Sequence, residues 1–319
     1  MIRFLAGRIA FAAVILLALS TFVFFLFFVA PGDPARLVAG DKATEAQLVQ
    51  IRSNLGLDRP IHEQYVSFLT RAVQGDLGFS YRNQQPVLTL IANRLPATIS
   101  LVIGGVIVWL AVGIPIGIMS ARHPGGFRDR LGQGFILVGL SFPTFVLGMV
   151  ALYVFYFLPR QSGFTLFPPG GFKPFLPNPA IWAWHMTLPW LTVALTTAAV
   201  YARLTRGQML EVMSEDYIRT ARAKGLPEGK VVMKHGMRAT LTPLVTQLGA
   251  DIAFLLGGAI VIEQVYGLQG VGALAVQAVN NQDRPIIIGV VLLGGFFIVV
   301  ANILVDIAYA LLDPRVRSN

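Results

Sequence analysis

Arg219, Arg222, Lys224, Lys230, Lys234 and Arg238 crowd into Glu215 to Pro243, EDYIRTARAKGLPEGKVVMKHGMRATLTP, between two long apolar runs. Cations at this density break no bonds; their chemistry is the recognition of anions, whether lipid headgroups or an acidic partner. A basic loop between apolar runs is most simply a positive-inside anchor. That reading leaves Ala221, Ala223 and Gly225 unexplained, small residues that would let another protein approach closely. Tyr217 to Lys224 contains good helix formers, Gly225 tolerates a left-handed terminating conformation, and Pro227 suits the start of a second helix running through Met233 toward Arg238. The expected product is a knob of two short helices bent at a glycine.

Asp251 is the other residue with chemistry to weigh, because an ionisable group inside an apolar run is costly and faces a cavity or a partner. Two readings stand side by side: a translocation path lined by Asp251, Gln247, Ser141 and Pro143, or a packing residue hydrogen-bonded to Gln247 or a neighbouring helix. Asp306 reads as structural. The histidines, His62, His123, His185 and His235, lack ligand spacing, and the chain has no cysteine, so no metal site is expected. Paired carboxylates and Ser/His pairs at helical spacing are missing, which argues against an intramembrane enzyme. GLPEGKV at 225–231 has the wrong glycine spacing for a phosphate cradle and no hydroxyl after its lysine, so this chain is not expected to hydrolyse ATP.

The elements that must position these residues follow from composition. With 319 residues, 55% hydrophobic and 13% charged, the chain reads as an all-α polytopic membrane protein. Its net charge of +9 is explained by anionic lipid and topology rather than nucleic acid. Six transmembrane helices are expected: one within 1–30, then 97–121, 133–158, 180–202, 241–262 and 285–312. Residues 31–96, nearly balanced in charge, read as a small helical extracytoplasmic insert between helices 1 and 2, ahead of a core over 97–319. There Thr44 would cap a helix carrying Leu48, Ile51 and Leu55 and ended by Gly56, and Ile61 to Val73 would form a second. Gly113 and Gly117 around Pro115 suit close helix contact or a kink, and Pro143 a kink within the third span. Trp182, Trp184 and Trp190 suggest an aromatic belt. Fifteen basic residues fall on the expected inner side and ten outside, seven of the latter in the long insert, which escapes the charge rule. Both termini and the loop 203–240 are therefore expected in the cytoplasm.

RTARAKG at 219–225 with His235, Arg238 and Pro243 resembles the cytoplasmic coupling loop of ABC-transporter permeases of the dipeptide/oligopeptide/nickel family. PGDP at 31–34, LGLDRPI at 55–61, GDLGFS at 75–80, RLPAT at 94–98, EQVYGLQGVG at 263–272 and DPRVR at 313–317 extend the resemblance, in order, over nearly the whole chain. The wider superfamily's loop carries Glu, Ala, Ala, three residues and Gly. Counting back from Gly225 puts Arg219 at the glutamate position, Thr220 at the first alanine and Ala221 at the second, so the glutamate is absent here. The resemblance implies a permease subunit of an importer in the bacterial cell membrane, with Asp216, Arg219, Thr220, Ala221, Arg222, Lys224, Gly225, Leu226 and Pro227 contacting an ATPase. It implies as partners a second homologous permease, two nucleotide-binding subunits and an extracytoplasmic binding protein, with ATP and Mg held by the partners and no cofactor in this chain. Gly257, Gly258, Gly294 and Gly295 would mark close helix packing, with the second permease as one candidate neighbour. Di- and oligopeptides are the commonest cargo it implies, beside nickel chelates, glutathione and sugars. The alternative is a gradient-driven carrier or channel with Asp251 as ion site.

Overall fold

The computed structural model describes residues 2–29, 35, 44–56, 58–80, 82–257 and 259–312. The motifs PGDP at 31–34 and DPRVR at 313–317, and Gly258, lie outside the described residues.

Two long helices, α4 (Val87–Arg122) and α7 (Pro179–Met213), form the central pair. Each is about 50 Å long, more than a bilayer core requires. They run parallel, since Gly104 meets Trp190, Gly113 meets Ala198 and Tyr201, and Gly117 meets Ala202 and Thr205. A Cβ at Gly113 would lie 2.6 Å from the Ala198 carbonyl oxygen, and one at Gly117 2.7 Å from that of Ala202. Backbone cannot give way as a flexible side chain can, so these glycines are what lets α4 and α7 touch. Gly117→Leu is expected to cost about 3 kcal/mol through overpacking. Gly134→Leu, where nothing lies within 4 Å of an added Cβ, should stay within about 0.5 kcal/mol; thermal unfolding in detergent measures the contrast.

Around this pair lie α5 (Phe127–Ser141) and α6 (Thr144–Leu152), the latter continuing to Gln161. The helix expected across 133–158 is thus broken. Phe142 is extended (φ −111°, ψ 136°) because the residue before a proline avoids the helical region, and Pro143 starts α6. In α1 (Ile2–Phe24) the C-terminal end packs on residues 61–73, where Tyr65 and Phe68 set their rings 5.2 and 5.8 Å from that of Phe24. The insert holds α2 (Glu45–Leu55), with Thr44 and Gln47 forming a reciprocal cap and Gly56 left-handed at φ 68°, then α3 (Ile61–Val73) and a two-residue ladder of β1 (Phe79–Ser80) with β2 (Gln85–Pro86).

Past residue 213 comes the knob, α8 (Asp216–Ala223), and then α9 (Glu228–Leu256). α9 stops at Gly257 rather than reaching 262. Two short helices follow, α10 (Ile260–Val265) and α11 (Val271–Asn280), from the end of the expected span 241–262 toward that at 285–312. Glu263 is fully buried between them: its carboxylate accepts from Thr98 Oγ1 at 2.5 Å and from the Ala273 N–H at 2.8 Å, capping α11 and tying it to α4. α12 (Arg284–Leu312) runs antiparallel to α9, with Gly249 against Val305 and Gly294 against Gly257. Gly295 receives Leu19 of α1, and Arg8 pairs with Asp306 at 3.1 Å. Gly257 and Gly294 thus face each other, and Gly295 faces Leu19, within this chain.

Five helices among the described residues are long and apolar enough to cross a membrane: Ala6–Phe27, Val87–Arg122, Thr144–Gln161, Glu228–Leu256 and Arg284–Ala308. α7, which contains the expected span 180–202, is long enough, but its tryptophans, His185 and hydroxyls dilute its hydropathy. The aromatic belt is also reduced. Trp182 and Trp190 turn inward and donate to the Ser100 hydroxyl (3.0 Å) and carbonyl (2.9 Å), and only Trp184, 41% exposed, faces outward.

Candidate functional site

The knob is a cap joining the ends of α7 and α9. α8 opens at Glu215, whose extended backbone (φ −70°, ψ 149°) turns the chain out of α7. It closes through Gly225 at φ 76°, whose N–H donates to the Arg222 carbonyl at 2.9 Å while that of Leu226 reaches Ala221 at 3.4 Å. Pro227 follows in extended conformation and supplies the first turn of α9, which begins with a wide π-helical stretch over Val231–Gly236.

One side of the cap is apolar and the other charged. Ile218, Ala221 and Val231 are buried against Val212, Met213 and Leu226, while Val232 packs with Met209 and Ala121. Ala221 is thus part of the packed side of the cap, in one cluster with Ile218 and Val231. Ala223 and Gly225 stay open, with nothing within 4 Å of a Cβ placed on Gly225. Arg219, Arg222, Lys224, Lys230 and Lys234 line the exposed side. Arg222 grips Glu228 with two bonds of 2.9 and 3.1 Å, bracing the two arms of the bend. Arg219 meets Asp216 at 3.3 Å, but their side chains are 71% and 94% exposed, so water screens the pair and leaves the guanidinium free to engage another surface. Thr220 bonds its own turn at the Asp216 carbonyl. Asp216, Arg219, Thr220, Ala221, Arg222, Lys224, Gly225, Leu226 and Pro227 are therefore brought into one element.

Behind the knob sits an ion pair that the sequence reading missed. Asp129, 1% exposed, accepts two bonds from Arg206 of α7 at 2.7 and 2.8 Å and a third from the Gly125 N–H at 2.8 Å. Bonding to the Arg206 guanidinium holds its carboxyl well below the usual range, against the opposing effect of burial. This clasps the α4–α5 loop to α7 one or two turns before the knob. Nothing in the sequence marks the pair, whose members are far apart in the chain.

Asp251 lies on α9 and accepts from Tyr201 of α7 at 2.9 Å and from Gln247 at 3.0 Å. Gln247 is thus bonded as the packing alternative expects, and Tyr201 is a partner the sequence did not suggest. Ser141 bonds the Leu137 carbonyl of its own helix and lies with Pro143 at the exposed α5–α6 break. Among the described residues, no hydrogen bond links this pair to Gln247 or Asp251.

Residues 113–318 match the family model described as "Binding-protein-dependent transport system inner membrane component", and residues 1–102 match its N-terminal companion. The "Probable peptide ABC transporter permease protein y4tP" of Sinorhizobium fredii is 38% identical over 98% of this chain and 99% of its own length. The "Glutathione transport system permease protein GsiC" of Pectobacterium atrosepticum is 41% identical over 95% of this chain and 94% of its own length.

Proposed function

The chain belongs to the binding-protein-dependent transport system inner membrane component family, and from that premise we propose that it forms the membrane pathway of an ABC importer for peptides or related small solutes such as glutathione. An extracytoplasmic binding protein delivers the solute, a second permease completes the pathway, and two separate ATPase subunits supply the work while holding ATP and Mg. The observation that carries this reading is the two-sided cap: apolar residues fix it to α7 and α9, and its charged side is open to a partner. A cap fastened to two long helices passes on a push from that partner as rigid-body motion, with no chemistry in the membrane.

In this reading α7 is a sixth span despite its modest hydropathy, and the knob and both termini face the cytoplasm. The Arg8–Asp306 pair supports that topology, since it lies on the half of α12 that runs back toward the knob end. Residues 31–96, the last ten of which open α4, form the extracytoplasmic insert, and Gln247, Asp251, Ser141 and Pro143 belong to the solute path.

The reading is tested by purification and reconstitution. The tagged chain should co-purify with ATPase subunits, and proteoliposomes of the assembled complex should take up a labelled peptide only with internal-face ATP and the binding protein outside. Uptake by the chain alone under an ion gradient would favour a secondary carrier instead.

A further inference from the structure

Two aspartates lie within the candidate spans, and they are treated differently. Asp306 has Arg8 beside it at 3.1 Å. Asp251 has no cation against it among the described residues, and its oxygens are held by two neutral donors, Tyr201 and Gln247. A carboxylate takes about four hydrogen bonds, so this arrangement fixes the direction of the group and leaves acceptor capacity over. Its charge is left unanswered too.

The surroundings say where that capacity points. On α9, Asp251 is half-buried and the residue one turn on, Phe254, is 77% exposed, so the carboxylate stands at the border of an open face of the helix. An ionisable group on a spanning helix faces a bundle interior or a water-filled cavity, not hydrocarbon. Divalent metal is a poor occupant, because the described residues hold no group of three His, Cys, Asp or Glu side chains. One oriented carboxylate flanked by a phenol and an amide suits a monovalent organic cation with N–H donors.

We propose that Asp251 is a subsite for an alkylammonium group of the passing solute, either the α-amino group of a peptide or a lysine side chain. The proposal rests on the importer reading and adds the chemistry of one point on the path. Tyr201 gives it a link to the work cycle, for its hydrogen bond joins α7 to α9, the two helices that the knob connects. A shear between those helices alters the donors around the carboxylate and so its grip on the cation.

The chain has no cysteine, so Phe254→Cys creates the one thiol of this chain on an exposed position a turn from Asp251; the other subunits of the complex are used without cysteine. In a complex that already passes the ATP-dependent uptake test, this thiol is labelled with a cationic and an anionic methanethiosulfonate of similar size. The cationic reagent should react about tenfold faster, and the ratio should fall to about one when Asp251→Asn is added, which keeps an acceptor for Tyr201 but removes the charge. Asp251→Glu should retain the preference. Protection by trialanine but not N-acetyl-trialanine assigns the α-amino group; protection by N-acetyl-lysyl-dialanine assigns the side chain. Absence of labelling, a ratio unmoved by Asp251→Asn, or protection by N-acetyl-trialanine would overturn the subsite while leaving the importer reading standing.

Discussion

In Gly225→Trp, ATP hydrolysis by the assembled transporter is expected to continue while solute uptake falls about tenfold or more, and Gly225→Ala should retain most uptake. The pair separates two effects. Gly225 sits at φ 76°, so any side chain there pays about 1–2 kcal/mol for the left-handed backbone, and both variants share that cost. Beyond it the described residues offer no obstruction, with nothing within 4 Å of the added Cβ. An indole therefore projects into open space, where it would collide with a docked subunit. Arg219→Glu makes the same point through charge. Its exposed pair with Asp216 contributes at most about 1 kcal/mol, so folding should be nearly unchanged, whereas an acidic partner complementary to this basic surface would meet a like charge at a cost of a few kcal/mol. Uptake and ATPase activity measured on the same preparations decide it. Equal coupling in the alanine and tryptophan variants, together with wild-type coupling in Arg219→Glu, would remove the docking role.

The parts of this molecule that were legible in its sequence are those governed by local chemistry. Thr44, Gly56 and Gly225 mark helix ends because a hydroxyl beside free N–H groups and a residue without Cβ have few other uses at such places. Gly113 and Gly117 could be read as a contact stripe from their spacing, although only the structure supplies Ala198, Tyr201, Ala202 and Thr205 as what they contact. What stayed hidden depends on long-range partners. Trp190 turns inward because Gly104 leaves a space for its ring, and Glu263 is buried because Thr98 and the start of α11 answer its charge. Neither partner can be chosen from sequence without an alignment of the helices. Ala221 shows why size alone is ambiguous: a small residue fits a close neighbour from the same chain, as Ile218 and Val231 are here, as well as one from another. The break at Pro143 was anticipated only as a kink, since a proline's neighbours in space decide whether the helix bends around it or stops.

The buried pair behind the knob carries the other large expected effect. Asp129→Ala should lower stability by about 3 kcal/mol, at the lower end of the range for breaking a buried ion pair because the Arg206 side chain keeps 23% exposure and recovers some hydration. The loss has two sources, an unpaired guanidinium and a Gly125 N–H left without its acceptor. Asp129→Asn can still accept at one oxygen, so it should fall between wild type and alanine. In Asp129→Ala/Arg206→Ala the charge penalty is gone, and the double variant should be less destabilised than the sum of the singles, which a double-mutant cycle in detergent reads directly. The pH dependence follows from the same geometry. Because the folded carboxyl titrates below its unfolded value of about 3.9, its contribution is fully present above that value and is lost only as pH falls through the lower folded one. Between about pH 5 and 8, therefore, the stability gap between wild type and Asp129→Ala should stay constant. A gap that closed within that window would mean Asp129 is not held as an ionised partner of Arg206, and the α4–α5 loop would then lack its fastening to the helix that carries the knob.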